Sequence, residues 1–184
     1  MTKLQVLAAA FLLSAQLVAS EDEPNFKMYY LGFDKWDNPE TALGFNQTVE
    51  KTSDMGFKVS GNAQVLVDMD DSYAVKMELD AAKVGQNYSY STTLFENQKT
   101  ICEFLRTSYR NYFYDVAKDD ATGKIPEYDK CPLPAGDYWI KDFEFDGEKY
   151  KQLLREGSFW SHLYLTKNGF PMSGLTWHWE IRLD

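Results

Sequence analysis

From Phe57 onward, apolar and polar residues alternate with a period of two. Phe57, Val59, Gly61, Ala63, Val65, Val67 and Met69 share one parity, while Lys58, Ser60, Asn62, Gln64 and Asp68 hold the other. Asp70-Asp71-Ser72 supplies turn chemistry, after which Tyr73, Val75, Met77 and Leu79 alternate with Ala74, Lys76, Glu78 and Asp80. A second break at Gly85-Gln86-Asn87 precedes Tyr88, Tyr90, Thr92 and Leu94, again spaced by two. Successive side chains of a strand leave on opposite faces, so this pattern predicts three strands in an antiparallel meander with one wet face.

The period changes near Thr100. Ile101, Phe104, Leu105, Tyr109, Tyr112, Phe113 and Val116 recur at helical spacing, with Glu103, Arg106, Arg110 and Asp115 on other faces. One amphipathic helix is predicted there. Strands resume with Tyr138-Trp139-Ile140 and Phe143-Glu144-Phe145, and the parity slip at Lys141-Asp142 predicts a bulge. Lys149 to Arg155 reads as a linker or helical turn before Gly157. Phe159 to Leu165 then runs into the Asn168-Gly169 turn signal and returns as a hairpin. Its second strand places Leu175, Trp177, Trp179, Ile181 and Leu183 on one face, and Thr176, His178, Glu180, Arg182 and Asp184 on the other. Seven to eight strands with one helix predict a mainly β (α+β) fold, an antiparallel β-sandwich or β-cup.

The N-terminus carries a different signal. Met1-Thr2-Lys3 precedes an apolar run from Leu4 to Leu13, and the small residues Val18-Ala19-Ser20 precede Glu21-Asp22-Glu23. That order predicts a signal peptide over residues 1–20, leaving one domain over 21–184. A membrane anchor is the alternative; the run is too short to span hydrocarbon, and Gln5, Ser14 and Gln16 interrupt it. A secreted, extracellular protein without a transmembrane segment is the expectation. An oxidising compartment makes a Cys102–Cys131 disulfide the expected state of the two cysteines, with two free thiols as the alternative. Asn46-Gln47-Thr48 and Asn87-Tyr88-Ser89 are glycosylation acceptors.

Composition narrows the chemistry. The chain has 184 residues, 44% of them hydrophobic and 16% aromatic, which is enough for a real core. A formal charge of −9 argues against nucleic acid, whose phosphates select Lys/Arg-rich faces. No Gly-x-Ser-x-Gly elbow, HExxH helix, P-loop or dinucleotide fingerprint is present, so neither a catalytic residue nor a cofactor is expected. Two histidines and two committed cysteines are too few for structural zinc. His178, opposite the Trp177/Trp179 face, is expected to point to water, and the facing of His162 stays open. Asp68-Met69-Asp70-Asp71 invites a calcium reading but lacks the EF-hand glycine and distal Glu, and hairpin turns are commonly acidic. A carboxylate pair for glycoside hydrolysis needs only to meet in space, and 28 acidic residues make that signal uninformative.

What remains is an apolar surplus. Phe104, Tyr109 and Phe113 on the helix, with Trp139, Phe143, Phe145, Trp160, Trp177 and Trp179 on the later strands, are the candidate lining of a ligand pocket. The alternative is an ordinary filled core. Periodicity leaves both open.

Ile101-Cys102-Glu103-Phe104-Leu105, then Cys131-Pro132-Leu133-Pro134-Ala135-Gly136-Asp137-Tyr138-Trp139-Ile140-Lys141-Asp142, and the late Leu154-Arg155-Glu156-Gly157-Ser158-Phe159-Trp160 carry a family resemblance. The chain resembles the insect chemosensory proteins CheA and CheB, related to the ML lipid-recognition and ganglioside-activator-like group. The most specific element is the helix cysteine paired with Cys-Pro-x-x-x-Gly-x-Tyr, and residues 21–56 carry little of it. The resemblance implies a β-sandwich or cup that holds a lipid or pheromone-like ligand without catalysis, in sensory tissue and with a possible receptor partner. Several relatives in the wider group have more disulfides than this chain can form. An extracellular interaction module with a filled core and no ligand is the competing function.

Overall fold

The period-two segments become strands that sort into two antiparallel sheets. The computed structural model describes residues 25–38, 42–120 and 122–184; the signal peptide expected over 1–20 lies outside them. The strands are β1 (Phe26–Asp37), β2 (Leu43–Lys51), β3 (Gly56–Val65), β4 (Tyr73–Ala82), β5 (Thr92–Thr100), β6 (Thr122–Lys124), β7 (Gly136–Asp146), β8 (Gly157–Lys167) and β9 (Phe170–Leu183). One sheet has the order β1-β9-β8-β4-β5 and the other β2-β3-β7-β6. The fold is the expected mainly β sandwich. It has nine strands among the described residues, where the pattern predicted seven or eight.

The strands not predicted are β1, β2 and β6, and a bulge explains the first of them. In β1 the register with β9 shifts between Tyr30 and Gly32, so Met28 and Tyr30 share a face with Phe33 rather than with Gly32. A strand whose parity flips halfway shows no simple alternation, and β1 was therefore not legible as one. The predicted slip at Lys141-Asp142 is real: β3 pairs Val59 with Phe143 but Gly61 with Ile140. Asp142 adopts a φ of 54° there, and its N–H donates to the Ser60 hydroxyl at 2.9 Å.

Between β5 and β6 lies the predicted helix, with an unpredicted geometry. α1 (Ile101–Phe104) passes into a π-helical stretch, Leu105–Tyr114, and then into α2 (Asp115–Asp120). Thr100 caps the start by accepting from the Glu103 N–H, in a Thr-x-x-Glu pattern. In the π stretch the Asp115 N–H reaches the Arg110 carbonyl, five residues back. The wider turn brings rings five apart together: Phe104 lies 6.2 Å from Tyr109, and Tyr109 lies 6.1 Å from Tyr114. Tyr88–Tyr90, expected to open β5, forms a 3-10 turn instead, and Gly147–Leu153 forms another.

The disulfide Cys102–Cys131 joins α1 to the segment before β7, with Cα atoms 5.6 Å apart. Two further ties hold that segment. Met69 and Leu133 exchange both backbone hydrogen bonds at 2.9 Å, and the Ala135 N–H donates to Asp68 at 2.7 Å. Asp70 accepts from the Ser72 N–H and hydroxyl, and Asp71 accepts from the Cys102 N–H. The acidic run thus spends its carboxylates on backbone amides and turn closure. Among the described residues, the one acid-and-thiol cluster close enough to share a metal is Asp71 with these two cysteines, whose sulfurs are bonded to each other.

Candidate functional site between the sheets

Two buried clusters fill opposite ends of the sandwich. One gathers Val65, Met69, Tyr73, Leu105, Leu165 and their neighbours under α1. The other gathers Phe26, Met28, Phe57, Leu79, Phe159 and Ile181. Phe33, Phe45, Val59, Phe113, Phe143 and Trp177 belong to neither and are only half-buried. Yet Val59 is an inward-facing residue midway along β3, an inner strand, paired with Val49 and Phe143. Met77 and Leu163, paired across the inner strands β4 and β8, are half-buried too. A filled sandwich covers its middle best and its ends least. Here the rings of the middle are half-buried, although Leu175, opposite Leu163, is itself buried.

The rings of this middle meet one another across the sheets. Phe33 of β1 lies 5.5 Å from Phe45 of β2 and 5.6 Å from Trp177 of β9, and Phe45 meets Trp177 edge-on at 6.2 Å. Trp179 touches Tyr30 at 5.0 Å and Phe57 at 5.3 Å. Phe113, from the π-helical stretch, reaches Phe143 at 6.1 Å. A polar line runs through the same space. The Trp177 indole N–H donates to Gln47 Oε1 at 2.9 Å, and Gln47 Nε2 donates to the Tyr30 hydroxyl at 3.1 Å.

Of the nine aromatic candidates, Trp177 meets Phe33 and Phe45, Phe113 meets Phe143, and Phe145 and Trp179 pack on the Phe57 cluster, where Phe145 stacks on Tyr150. Phe104 and Tyr109 pack on the cluster under α1 instead, where the Tyr109 hydroxyl donates to the Pro126 carbonyl at 2.9 Å. Trp139 and Trp160 lie elsewhere. The bulge at Lys141-Asp142 puts Trp139 on the opposite face from Phe143, 43% exposed on the outside. Trp160 stands opposite His178 in the β8–β9 register, whereas Ser161 stands opposite Trp177, so the two tryptophans leave on opposite faces. Tyr30, Phe33, Phe45 and Gln47 were missed. Their signal was available in β2, where Leu43, Phe45, Gln47 and Val49 alternate with Gly44, Asn46, Thr48 and Glu50. Asn46 and Asn87 are both exposed.

Trp160 belongs to a second, polar layer on the outer face of the larger sheet. It stacks on His178 at 4.5 Å, so His178 does not point into water as its parity suggested. Tyr88 covers Trp160 at 5.6 Å and His162 at 5.4 Å, both edge-on. His162 sits between Asp80, at 3.3 Å from Nε2, and the Thr176 hydroxyl, at 2.9 Å from Nδ1. These contacts stitch β4, β8 and β9 together. Asp80 beside Tyr88, then burial, pushes the Tyr88 phenol up to about 12.

Glu180, 3% exposed, anchors the overlying loop. Burial raises its pKa, but bonds from the Gly85 N–H, Arg182 and Ser158 outweigh that and hold it below its ordinary 4.5. His178 is shifted below its ordinary 6.5 by burial, against the pull of Glu180 and Asp34. Both groups bind protons more readily when unfolded. Their stabilisation is full above those ordinary values and is lost as pH falls through the folded ones. Stability should therefore decline below pH 6.5 and further below pH 4.5. Glu180→Gln should cost about 1 kcal/mol at neutral pH, a gap that closes in acid. Urea unfolding across that range checks both; a gap independent of pH rejects the assignment to Glu180.

Among the described residues, no helix is long and apolar enough to cross a membrane. No curated protein matches the chain. Residues 75–160, from β4 through the helix, the disulfide and β7 into β8, are similar to the family described as protein of unknown function (DUF1091).

Proposed function

We propose that the chain is a secreted, non-enzymatic carrier or presenter of a hydrophobic ligand, held between the two sheets. The observation that carries this reading is the uneven burial: sealed ends, and a middle of half-buried inward-facing rings. Burial itself would supply the binding energy, at about 25 cal/mol per Å2 of apolar surface, or about 0.8 kcal/mol per methylene. A long acyl or hydrocarbon chain needs few polar contacts to be held that way. The resemblance to CheA and CheB gives the reading its setting, the detection of pheromone-like lipids in insect sensory tissue. The disulfide and the exposed acceptor residues Asn46 and Asn87 suit an extracellular protein.

The test uses residues 21–184 secreted from insect cells and purified without detergent. A mass excess under native conditions that disappears on denaturation, with a lipid in the organic extract, is the expected result. Trp177→Ala should then weaken displacement of a lipophilic fluorescent probe about tenfold while the protein stays folded. No excess mass and no probe binding would leave the filled interaction module as the function.

A further inference from the structure

The polar line between the sheets has a direction. An indole N–H can only donate, so the Gln47 atom facing Trp177 must be its carbonyl oxygen. The Gln47 amide nitrogen then faces Tyr30 and donates to it. The Tyr30 oxygen is thereby used as an acceptor, and its own O–H is left to donate. Among the described residues, nothing accepts from it. Each donor in such a chain polarises the next, which strengthens the last one. β9, β2 and β1 each contribute one member, so the terminal donor is fixed by both sheets.

Gln47 is itself unexpected where it stands. It occupies an inward, half-buried position of β2 between Phe45 and Val49, where an amide without partners is costly. Its hydrogen bonds satisfy it while leaving one donor aimed at nothing in the protein. We infer that the ligand of the inter-sheet site carries a neutral oxygen acceptor, an ester, ketone, aldehyde or alcohol oxygen on a long chain, which receives the Tyr30 O–H. This rests on the carrier reading and names the ligand's chemistry.

The surroundings select neutral over anionic acceptors. Burial raises the Tyr30 pKa, the Gln47 hydrogen bond works against that and the Asp34 carboxylate adds to it, so burial is the main cost a second negative charge would meet here. A fatty-acid carboxylate would have to give up its water to reach this hydroxyl. A pure alkane fits the rings but leaves the donor unused. A neutral ester fits both.

Competition against N-phenyl-naphthylamine on the full secreted protein tests this with four probes of one chain length: an alkane, its methyl ester, its alcohol and its carboxylic acid. The ester and alcohol should bind about fivefold tighter than the alkane and the acid at neutral pH. Tyr30→Phe, which removes only the hydroxyl, should erase that preference. Equal affinity for alkane and ester in the unsubstituted protein, a tighter acid, or a preference that survives in Tyr30→Phe would each overturn the inference while leaving the carrier reading standing. Failure of all four probes in folded protein would overturn both.

Discussion

Leu165→Ala should destabilise the protein by about 3 kcal/mol, within the range for emptying a tightly packed core site. Leu163→Ala, two residues earlier on the same face of the same strand, should cost about half as much. The two leucines share chemistry, strand and facing, and differ in what surrounds them. Leu165 is 2% exposed as a member of the cluster under α1, whereas Leu163 is half-buried and only packs against that cluster from outside it. Truncating Leu165 loses contacts on every side and leaves a cavity. Truncating Leu163 removes a side chain that already lacks neighbours on one side, so fewer contacts are lost. Paired urea unfolding curves decide the matter. Equal losses would mean that the middle is as well packed as the end, and the case for a ligand site would lose its foundation.

Replacing both cysteines with alanine should cost about 3.5 kcal/mol, the chain-entropy value for a loop of this size. The loop spans 29 positions, from the first turn of α1 to the segment before β7. In the unfolded chain the link holds those two points together; in the folded chain the Met69–Leu133 and Asp68–Ala135 hydrogen bonds hold the same segment without it. Most of the loss should therefore appear through the unfolded state. The denaturant midpoint should fall and the slope of the transition should rise as the unfolded chain expands. An unchanged midpoint would assign the hold on that segment to its hydrogen bonds alone.

Much of this fold was legible in the sequence, and what was not has identifiable causes. β3, β4 and the hairpin β8–β9 alternate and could be read directly as strands, but β3 pairs within the smaller sheet and β4 within the larger, so the expected three-strand meander is realised only as the pair β4–β5. The β7 bulge could be detected as a slip in parity, yet its consequence for Trp139 required the register with β3. β1 was hidden by its own bulge at Leu31, and with it Tyr30 and Phe33. Trp160 was grouped with Trp177 because the Asn168-Gly169 turn, which pairs Lys167 with Phe170, would by parity put the two opposite each other; the register shift between Leu165 and Thr166 moves them to opposite faces. The π-helical stretch leaves no trace in a pattern judged at α spacing, although Phe104, Tyr109 and Tyr114 do recur every five residues. Gln47 is the most instructive omission. A lone polar residue in the apolar phase of a strand is what a satisfied interior hydrogen bond looks like from the sequence side.

The two sealed ends of the sandwich also bear on how fast a guest could exchange. With the clusters under α1 and around Phe57 closing both ends, a long-chain molecule would enter and leave sideways, past the β1–β2 flank or past the helix. Its residence time would then be set by how readily the sheets part along an edge, and the hairpin loops would have little influence on it. A covalent staple between β1 and β2 would slow both uptake and release, turning a quickly exchanging carrier into a store.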